Sequence, residues 1–350
     1  MDVDFLLIGQ GIAGITLAHR LVNSGKKVHI IDLAESNNSS RIAAGLFNPV
    51  TGRNMVKTWM ADQLFPEIQP FYSGLEGHLG VKFLHSLPIY RPFVSIEEQN
   101  EWMGRSSEVE FEGYLKGIKQ SSLYQEVNDP FGGLLLEQSG YVDLNSLMDA
   151  FASLSKRMGM VTNEAFDEGL LVPIGKGIRY KNIDAGALVY TNGLGALNSR
   201  FFDWLPLKAN KGELLVVDQN FAPMEIINRG IFRISLIDGS IKVGSTYSNS
   251  DSSSAPTASA KEELLAKLTN LVKLPVKAVL SHKVGIRPTT IDRRPILGKH
   301  PHHDHVYIFN GLGSKGVSLA PYFSKVMSDF LIFEKEPPKE VNISRFFKYI

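Results

Sequence analysis

Val3-Asp4-Phe5-Leu6-Leu7-Ile8-Gly9-Gln10-Gly11-Ile12-Ala13-Gly14 is the stretch that decides how this chain folds. Its first six residues are a short apolar run stopped by glycine, which predicts a buried strand. From 12 to 24, Ile12, Ile15, Leu17, Ala18, Leu21 and Val22 form a broad apolar stripe at helical spacing. Gly25 ends that helix, with Lys26 and Lys27 where the helix dipole favours cations. Val28-His29-Ile30-Ile31 is the next strand and closes on Asp32. Strand, turn, helix and strand in this order predict a parallel pair with a right-handed crossover. The turn fits G-x-G-x-x-G, and Asp32 follows Gly14 by eighteen residues, the context that a dinucleotide site requires. Gly9 allows the tight turn, Gly11 lets the backbone approach a pyrophosphate, and Gly14 lets the helix pack on the strand. The N–H groups that open the helix, at Ile12 and Ala13, hold the phosphate, and Asp32 accepts hydrogen bonds from ribose hydroxyls.

Composition narrows the remaining classes. The 350 residues are 43% apolar and 21% charged, an ordinary globular balance with room for two cores. With 37 basic against 36 acidic residues, no global field draws the chain to nucleic acid or an anionic membrane, although a local basic patch stays open. The absence of cysteine excludes disulfides, zinc–thiolate sites and a cofactor tethered through sulfur. The run Phe5–Ile8 is too short and too acidic in its flank for a signal peptide, and no apolar stretch is long enough to span a bilayer, so a cytoplasmic protein is expected.

Downstream of an Asn/Ser-rich turn at 36–40, a helix is expected around 55–73. Short strand-like runs follow at 82–84, 89–94, 109–111 and 133–137, a pattern of antiparallel sheet rather than further crossovers. Helices are expected at 143–158, 260–272 and 317–333, and strands at 187–190, 212–217, 230–235, 240–244, 281–288 and 305–309. Residues 248–259, rich in Ser, Asp, Pro and Thr, read as a mobile surface loop, and 96–131 carries no interpretable motif. The expected fold is α/β. A discontinuous Rossmann-type domain comprises 1–78, 139–205 and 281–350, and an inserted, mainly antiparallel-sheet substrate domain comprises 79–138 and 206–280.

A second glycine loop, Asn310-Gly311-Leu312-Gly313-Ser314-Lys315-Gly316, also lies between a strand and a helix. With no further strand and acid after it, the loop is not expected to complete a second nucleotide unit. It reads instead as backbone pressed against a flat ring, with the N-terminus of the 317–333 helix and Lys315 stabilising negative charge on a reduced flavin. Here the chain resembles the FAD-dependent D-amino-acid oxidase superfamily, whose members include glycine and sarcosine oxidases. The resemblance rests on Gly9–Gly14 with Asp32, on Ser39-Ser40-Arg41-Ile42-Ala43-Ala44-Gly45, on Val189-Tyr190-Thr191-Asn192-Gly193, and on Lys211-Gly212-Glu213 and Val243-Gly244-Ser245-Thr246. Its most specific part is Gly285-Ile286-Arg287-Pro288 through Gly298, then Gly311–Pro321.

The resemblance implies FAD, bound non-covalently by Gly9, Gly11, Ile12, Ala13, Gly14, Asp32, Ser40, Arg41, Ala43, Ala44, Gly45, Gly193, Gly311, Gly313, Ser314, Lys315, Gly316 and Val317. It implies oxidation of a C–N bond in a small amino acid or secondary amine, by hydride transfer to flavin N5 to give an imine. Arg287 is the expected carboxylate grip, since a guanidinium binds carboxylate bidentately; pairing with Asp292 is its structural alternative. Tyr247 is expected to cap the substrate pocket or to be an exposed strand-end residue, and Lys315 to act at the flavin or to be a solvated loop lysine. Tyr90 and Arg91 either face the cavity or belong to an ordinary strand. Arg41 either lies near the pyrophosphate or flavin or only satisfies carbonyls of its turn. The histidines of 300–305 read as a surface turn, with no catalytic metal expected, and the tail 345–350 as packing back on the domain. Oxygen and a quinone stay open as electron acceptors. Two alternatives remain: an oxidase of a glycine-like group on a modified tRNA wobble uridine, with nucleic acid disfavoured by the even charge, and a non-catalytic flavin carrier.

Overall fold

The computed structural model describes residues 1–35, 38–52, 55–251 and 253–350; positions 36 and 37 of the expected 36–40 turn, and 252 of the 248–259 loop, lie outside them. The opening crossover is as the sequence predicts: strand Asp2–Ile8, helix Ile12–Asn23 and strand Val28–Asp32, the two strands parallel. The parallel sheet runs Val161–Asn163, Val28–Asp32, Asp2–Ile8, Ile183–Tyr190, Val306–Asn310. Its strands are apolar without alternation because both faces are covered. Phe5 and Leu7 enter one core with helices Ile12–Asn23, Ala61–Leu79, Leu144–Arg157 and Gly316–Phe333. Leu6 and Ile8 enter another with Phe201, Phe202, Ile343 and Phe346, so the C-terminal tail packs back on the sheet.

A second sheet has eight strands, in the order Ala278–Thr290, Leu207–Asp218, Ile241–Gly244, Phe232–Ser235, Ile226–Asn228, Ile89–Pro92, Gly133–Leu136, Leu115–Lys119. All neighbours are antiparallel except Ile226–Asn228 with Ile89–Pro92. Helix Ala258–Leu271 covers one face through Leu264, Leu268 and Leu271. The other face looks toward the nucleotide sheet. Residues 281–290, which the sequence reading gave to the Rossmann-type domain, are hydrogen-bonded along Leu207–Asp218 as the edge of this second sheet.

Three local expectations change. Residues 109–111 are a 3₁₀ turn rather than a strand. Residues 96–105, which carried no readable motif, form the helix Ile96–Arg105, with Ser95 accepting from the Glu98 N–H and Arg105 at its C-terminal end. The helix expected at 55–73 is Ala61–Leu79, because Val50–Thr51 and Val56–Lys57 pair as a small hairpin before it.

Candidate active site

Between the two sheets lies one cavity of about 2300 Å³. Gly9, Gly11, Ile12, Ala13, Asp32, Ser40, Ala43, Ala44, Gly45, Gly193, Gly311, Gly313, Ser314, Lys315, Gly316 and Val317 all line it, as do Tyr247 and Arg287. Of the predicted cofactor residues, two stand apart. Gly14 lies behind the wall, at the contact of helix and strand. Arg41 is outside the cavity lining and pairs with Asp149 at 2.7 Å.

The residues present suit a dinucleotide. Both carboxylate oxygens of Asp32 are anchored, Oδ1 accepting from Gln10 N–H at 2.7 Å and Oδ2 from Ala34 N–H at 2.8 Å. The carboxylate is therefore fixed at the strand end, with lone pairs left for ribose hydroxyls. Helix Ile12–Asn23 is preceded by Gly11, which gives no side-chain cap, and helix Gly316–Phe333 likewise lacks one. A Cβ on Gly316 would lie 3.2 Å from Ile12, so the two uncapped helix starts open on the cavity side by side. Together they turn two positive dipole ends toward anionic parts of a ligand, with Ile12 N–H donating to Ser40 Oγ at 3.1 Å. Asn192 Oδ1, in the same wall, is buried without a hydrogen-bond partner among the described residues.

Charge is divided along the cavity. Acids gather around the ends of strands Val28–Asp32 and Val161–Asn163: Asp32, Glu35, Glu164, Asp167 and Glu168. Beneath the second sheet and at the second glycine loop the charged lining is wholly basic: Arg91, Arg229, Lys283, Arg287, Arg293, Arg294 and Lys315. Arg229 is neutralised by Glu98 at 2.6 Å. Among the described residues, Lys283, Arg287, Arg293, Arg294 and Lys315 form no ion pair.

Arg287 is held without being neutralised. Nη1 donates to Asn210 Oδ1 at 2.8 Å, Nη2 donates to Ser245 Oγ at 2.9 Å, and the guanidinium lies 4.4 Å from the centre of the Tyr247 ring. Asp292, its possible structural partner, is instead bound by Arg345 at 2.8 Å. Burial lowers the Arg287 pKa from its ordinary value. Gly212 makes this position possible: a Cβ there would sit 2.0 Å from Arg287 Nη2. Tyr247 is 66% exposed, so it is at once a strand-end residue and a wall of the cavity.

Lys315 Nζ reaches Thr51 Oγ1 at 3.4 Å and Thr58 Oγ1 at 3.3 Å. Burial first, then Arg294 and Arg293, bring its pKa down to about 8. It is therefore not a solvated loop lysine. Arg294 is itself stacked 3.9 Å above the Trp59 ring. Strand alternation separates Tyr90 from Arg91. Tyr90 is buried on the far face, donating to Asp129 at 2.7 Å, while Arg91 lines the cavity. His300 is buried among Phe201, Phe202 and Trp204, so the 300–305 segment is not wholly a surface turn.

The chain matches the FAD dependent oxidoreductase (DAO) family over residues 4–330. It belongs to that family. Glycine oxidase of Pseudomonas putida is 31% identical over 130 residues, 36% of this chain and 36% of that enzyme's own length. The bifunctional tRNA 5-methylaminomethyl-2-thiouridine biosynthesis protein MnmC of Legionella pneumophila is 24% identical over 85% of this chain, which spans 45% of that protein. In fold, the glycine oxidase of Bacillus cereus superposes with a TM-score of 0.76 at 19% identity, covering 96% of this chain and 99% of that one. The iminodiacetate oxidase of Chelativorans sp. BNC1 gives 0.78 at 20% identity, covering 98% of each. This member of the DAO family is thus an FAD-dependent oxidoreductase with the family's two-sheet architecture. No helix among its described residues is long and apolar enough to cross a membrane.

Reasoning from sequence missed Asn210, Ser245, Trp59 and Arg294 in the cavity wall. Asn210 sits one residue before the Lys211-Gly212-Glu213 segment and Ser245 lies within Val243-Gly244-Ser245-Thr246; the period-2 rule places Asn210 on the face of Gly212 and Ser245 on that of Tyr247.

Proposed function

We propose that this oxidoreductase oxidises the C–N bond of a small amino acid or secondary amine bearing a carboxylate. The observation that carries the reading is Arg287, a cavity-facing guanidinium fixed by neutral partners and left with its charge unspent. A substrate carboxylate completes it, and the wholly basic wall around it favours an anionic ligand. Bound FAD, held by the Gly9–Gly14 turn, Asp32, Ser40, Ala43–Gly45, Gly193 and the Gly311–Val317 loop, supplies the two-electron acceptor. The substrate loses a hydride from carbon and a proton from nitrogen, leaving an imine that water hydrolyses. Arg287 fixes the carboxylate, and with it the direction of the C–H bond. Tyr247 backs the guanidinium through its ring face. The test is anaerobic addition of glycine, sarcosine, D-amino acids and proline to the yellow holoenzyme: bleaching of the flavin bands by one of them supports the reading, and bleaching by none sinks it.

Lys315 gives this chemistry a pH dependence. With its pKa brought down to about 8, its charge is lost as pH rises through that value. A cation at the start of the Gly316–Phe333 helix favours negative charge arriving on the cofactor, so flavin reduction should slow above about pH 8. Lys315→Met should remove that limb and leave a flatter, lower profile; an unchanged basic limb would exclude Lys315 as its origin. The same shift has a sign for stability. The folded state binds fewer protons than the unfolded one between about pH 8 and the ordinary lysine value, so this residue's contribution to stability rises with pH across that window.

The ribose end is tested by Asp32→Asn. The amide keeps one acceptor but points an NH₂ group at Gln10 or Ala34 N–H. FAD affinity should fall by about tenfold to a hundredfold in a titration of apoprotein, and wild-type affinity would remove Asp32 from the binding set.

A second reading, oxidation of a glycine-like group on a tRNA nucleoside, is favoured by the five cavity cations without ion pairs. It predicts binding of tRNA that weakens steeply with salt. Binding indifferent to salt, or none, would dismiss it.

A further inference from the structure

The segment after Tyr247, expected to be a mobile surface loop, is tied to the second sheet by a buried charge. Lys211 has a side chain 1% exposed. Its Nζ donates to Asp251 Oδ2 at 2.6 Å, Ala255 O at 2.6 Å and Ser253 Oγ at 3.1 Å, and lies 3.5 Å from Glu213 Oε1. Glu213, also buried, accepts from Thr257 N and Thr257 Oγ1, each at 2.9 Å, and its Oε2 lies 2.8 Å from His282 Nε2. The strap therefore has both of its ends fixed by one strand. At its start, Ser248 exchanges backbone hydrogen bonds with Lys211 at 2.8 and 2.9 Å. At its finish, Thr257 caps helix Ala258–Leu271.

What the strap carries lies on the other face of that strand. Tyr247 and Asn249 line the cavity. Asn249 Oδ1 accepts from Asn210 Nδ2 at 2.6 Å, and Asn210 Oδ1 accepts from Arg287 Nη1 at 2.8 Å. An amide has one acceptor end and one donor end. With its NH₂ group engaged by Asn249, Asn210 must present its oxygen to the guanidinium. Without Asn249 only the hydrogen bond to Arg287 itself holds the amide's orientation, and Asn210 loses the partner that fixes it against the guanidinium.

We infer that Lys211, Glu213 and Asp251 are positioning residues for Arg287. They latch residues 248–251 and 253–257 so that Asn249 fixes the orientation of Asn210 and Tyr247 backs the guanidinium. This rests on the reading of Arg287 as a carboxylate grip. Asp251, at 38% side-chain exposure, is the latch residue that can be changed without burying a lone charge at its own position.

The probe is acetate, a carboxylate with no C–N bond to oxidise, titrated into FAD-loaded enzyme and followed by the change in the flavin absorbance. Asp251→Asn and Asn249→Ala should each weaken acetate by about tenfold with FAD content unchanged. The double variant should also lose about tenfold rather than a hundredfold, because both changes break one route. Wild-type affinity in Asp251→Asn, or a hundredfold loss in the double variant, would overturn the latch. Arg287→Met run alongside separates the two ideas. If it binds acetate as the wild type does, the grip itself is wrong. If it loses acetate while Asp251→Asn does not, only the latch is wrong.

Discussion

Arg287→Met should yield a yellow, folded protein whose turnover of an amino-acid substrate falls by about two to three orders of magnitude. The size follows from the contact removed. Truncating one partner of a desolvated, hydrogen-bonded charge pair costs about 2–5 kcal/mol, and each 1.4 kcal/mol is about tenfold in kcat/KM. Methionine keeps the length of the stem over Tyr247 and avoids the close space at Gly212, where even a methyl group would meet the guanidinium at 2.0 Å. Asn210 and Ser245 lose a charged partner but keep access to water in the cavity, so the fold is not expected to suffer. The loss should be shared between KM and kcat, since a substrate without its anchor is both weakly held and misaligned. A substrate lacking a carboxylate should be oxidised equally by variant and wild type. Unchanged kinetics with amino acids would remove the assignment, while loss of FAD from the variant would move Arg287 from the substrate to the cofactor.

The parts of this molecule that could be read from sequence are those whose signal is local. The strand–glycine–helix start, the acid at Asp32 and the Gly311–Gly316 loop each occupy a few consecutive residues, and each lies where it was expected. The place of Arg287 in the cavity wall was legible because it stands in a distinctive Gly-Ile-Arg-Pro segment. The substrate wall was not, because eight strands build it and six of them are four or five residues long or shorter. No short run states which of its alternate residues meet in space: Tyr90 and Arg91 are neighbours in the chain and lie on opposite faces of the sheet. The strap shows the limit most plainly. Its polar composition reads as mobile, and the lysine that pins it lies forty residues upstream of Asp251. Arg41 shows the same limit in reverse. Its surroundings pointed to the cofactor, but Asp149 on helix Leu144–Arg157 takes its charge.

The largest loss of cofactor should come from a residue that does not touch the cavity. A Cβ at Gly14 would stand 2.0 Å from the Gly9 carbonyl oxygen and 2.9 Å from Thr191 Oγ1. Neither neighbour can retreat easily. Thr191 Oγ1 donates to Ile8 O at 2.9 Å and Gly9 O at 2.8 Å, which clamps that carbonyl between two parallel strands. Gly14→Ala must therefore push helix Ile12–Asn23 off the strand by about an ångström, a strain of about 1–3 kcal/mol for overpacking. The displacement carries the uncapped helix start away from Asp32, so FAD affinity should drop by about a hundredfold or more while the apoprotein also melts earlier. Gly11→Ala is the control that makes the geometry testable. Its Cβ would meet only Ser40 Oγ, at 3.2 Å, a contact relieved by a shift of a few tenths of an ångström that leaves Ser40 Oγ accepting from Ile12 N–H. That variant should bind FAD poorly because a methyl group intrudes on the phosphate approach, yet its apoprotein should melt as the wild type does. Melting of the two apoproteins, followed by FAD titration of each, decides the matter. If Gly14→Ala melts normally, helix and strand are not pressed together at this turn, and the third glycine of the fingerprint serves the ligand rather than the packing.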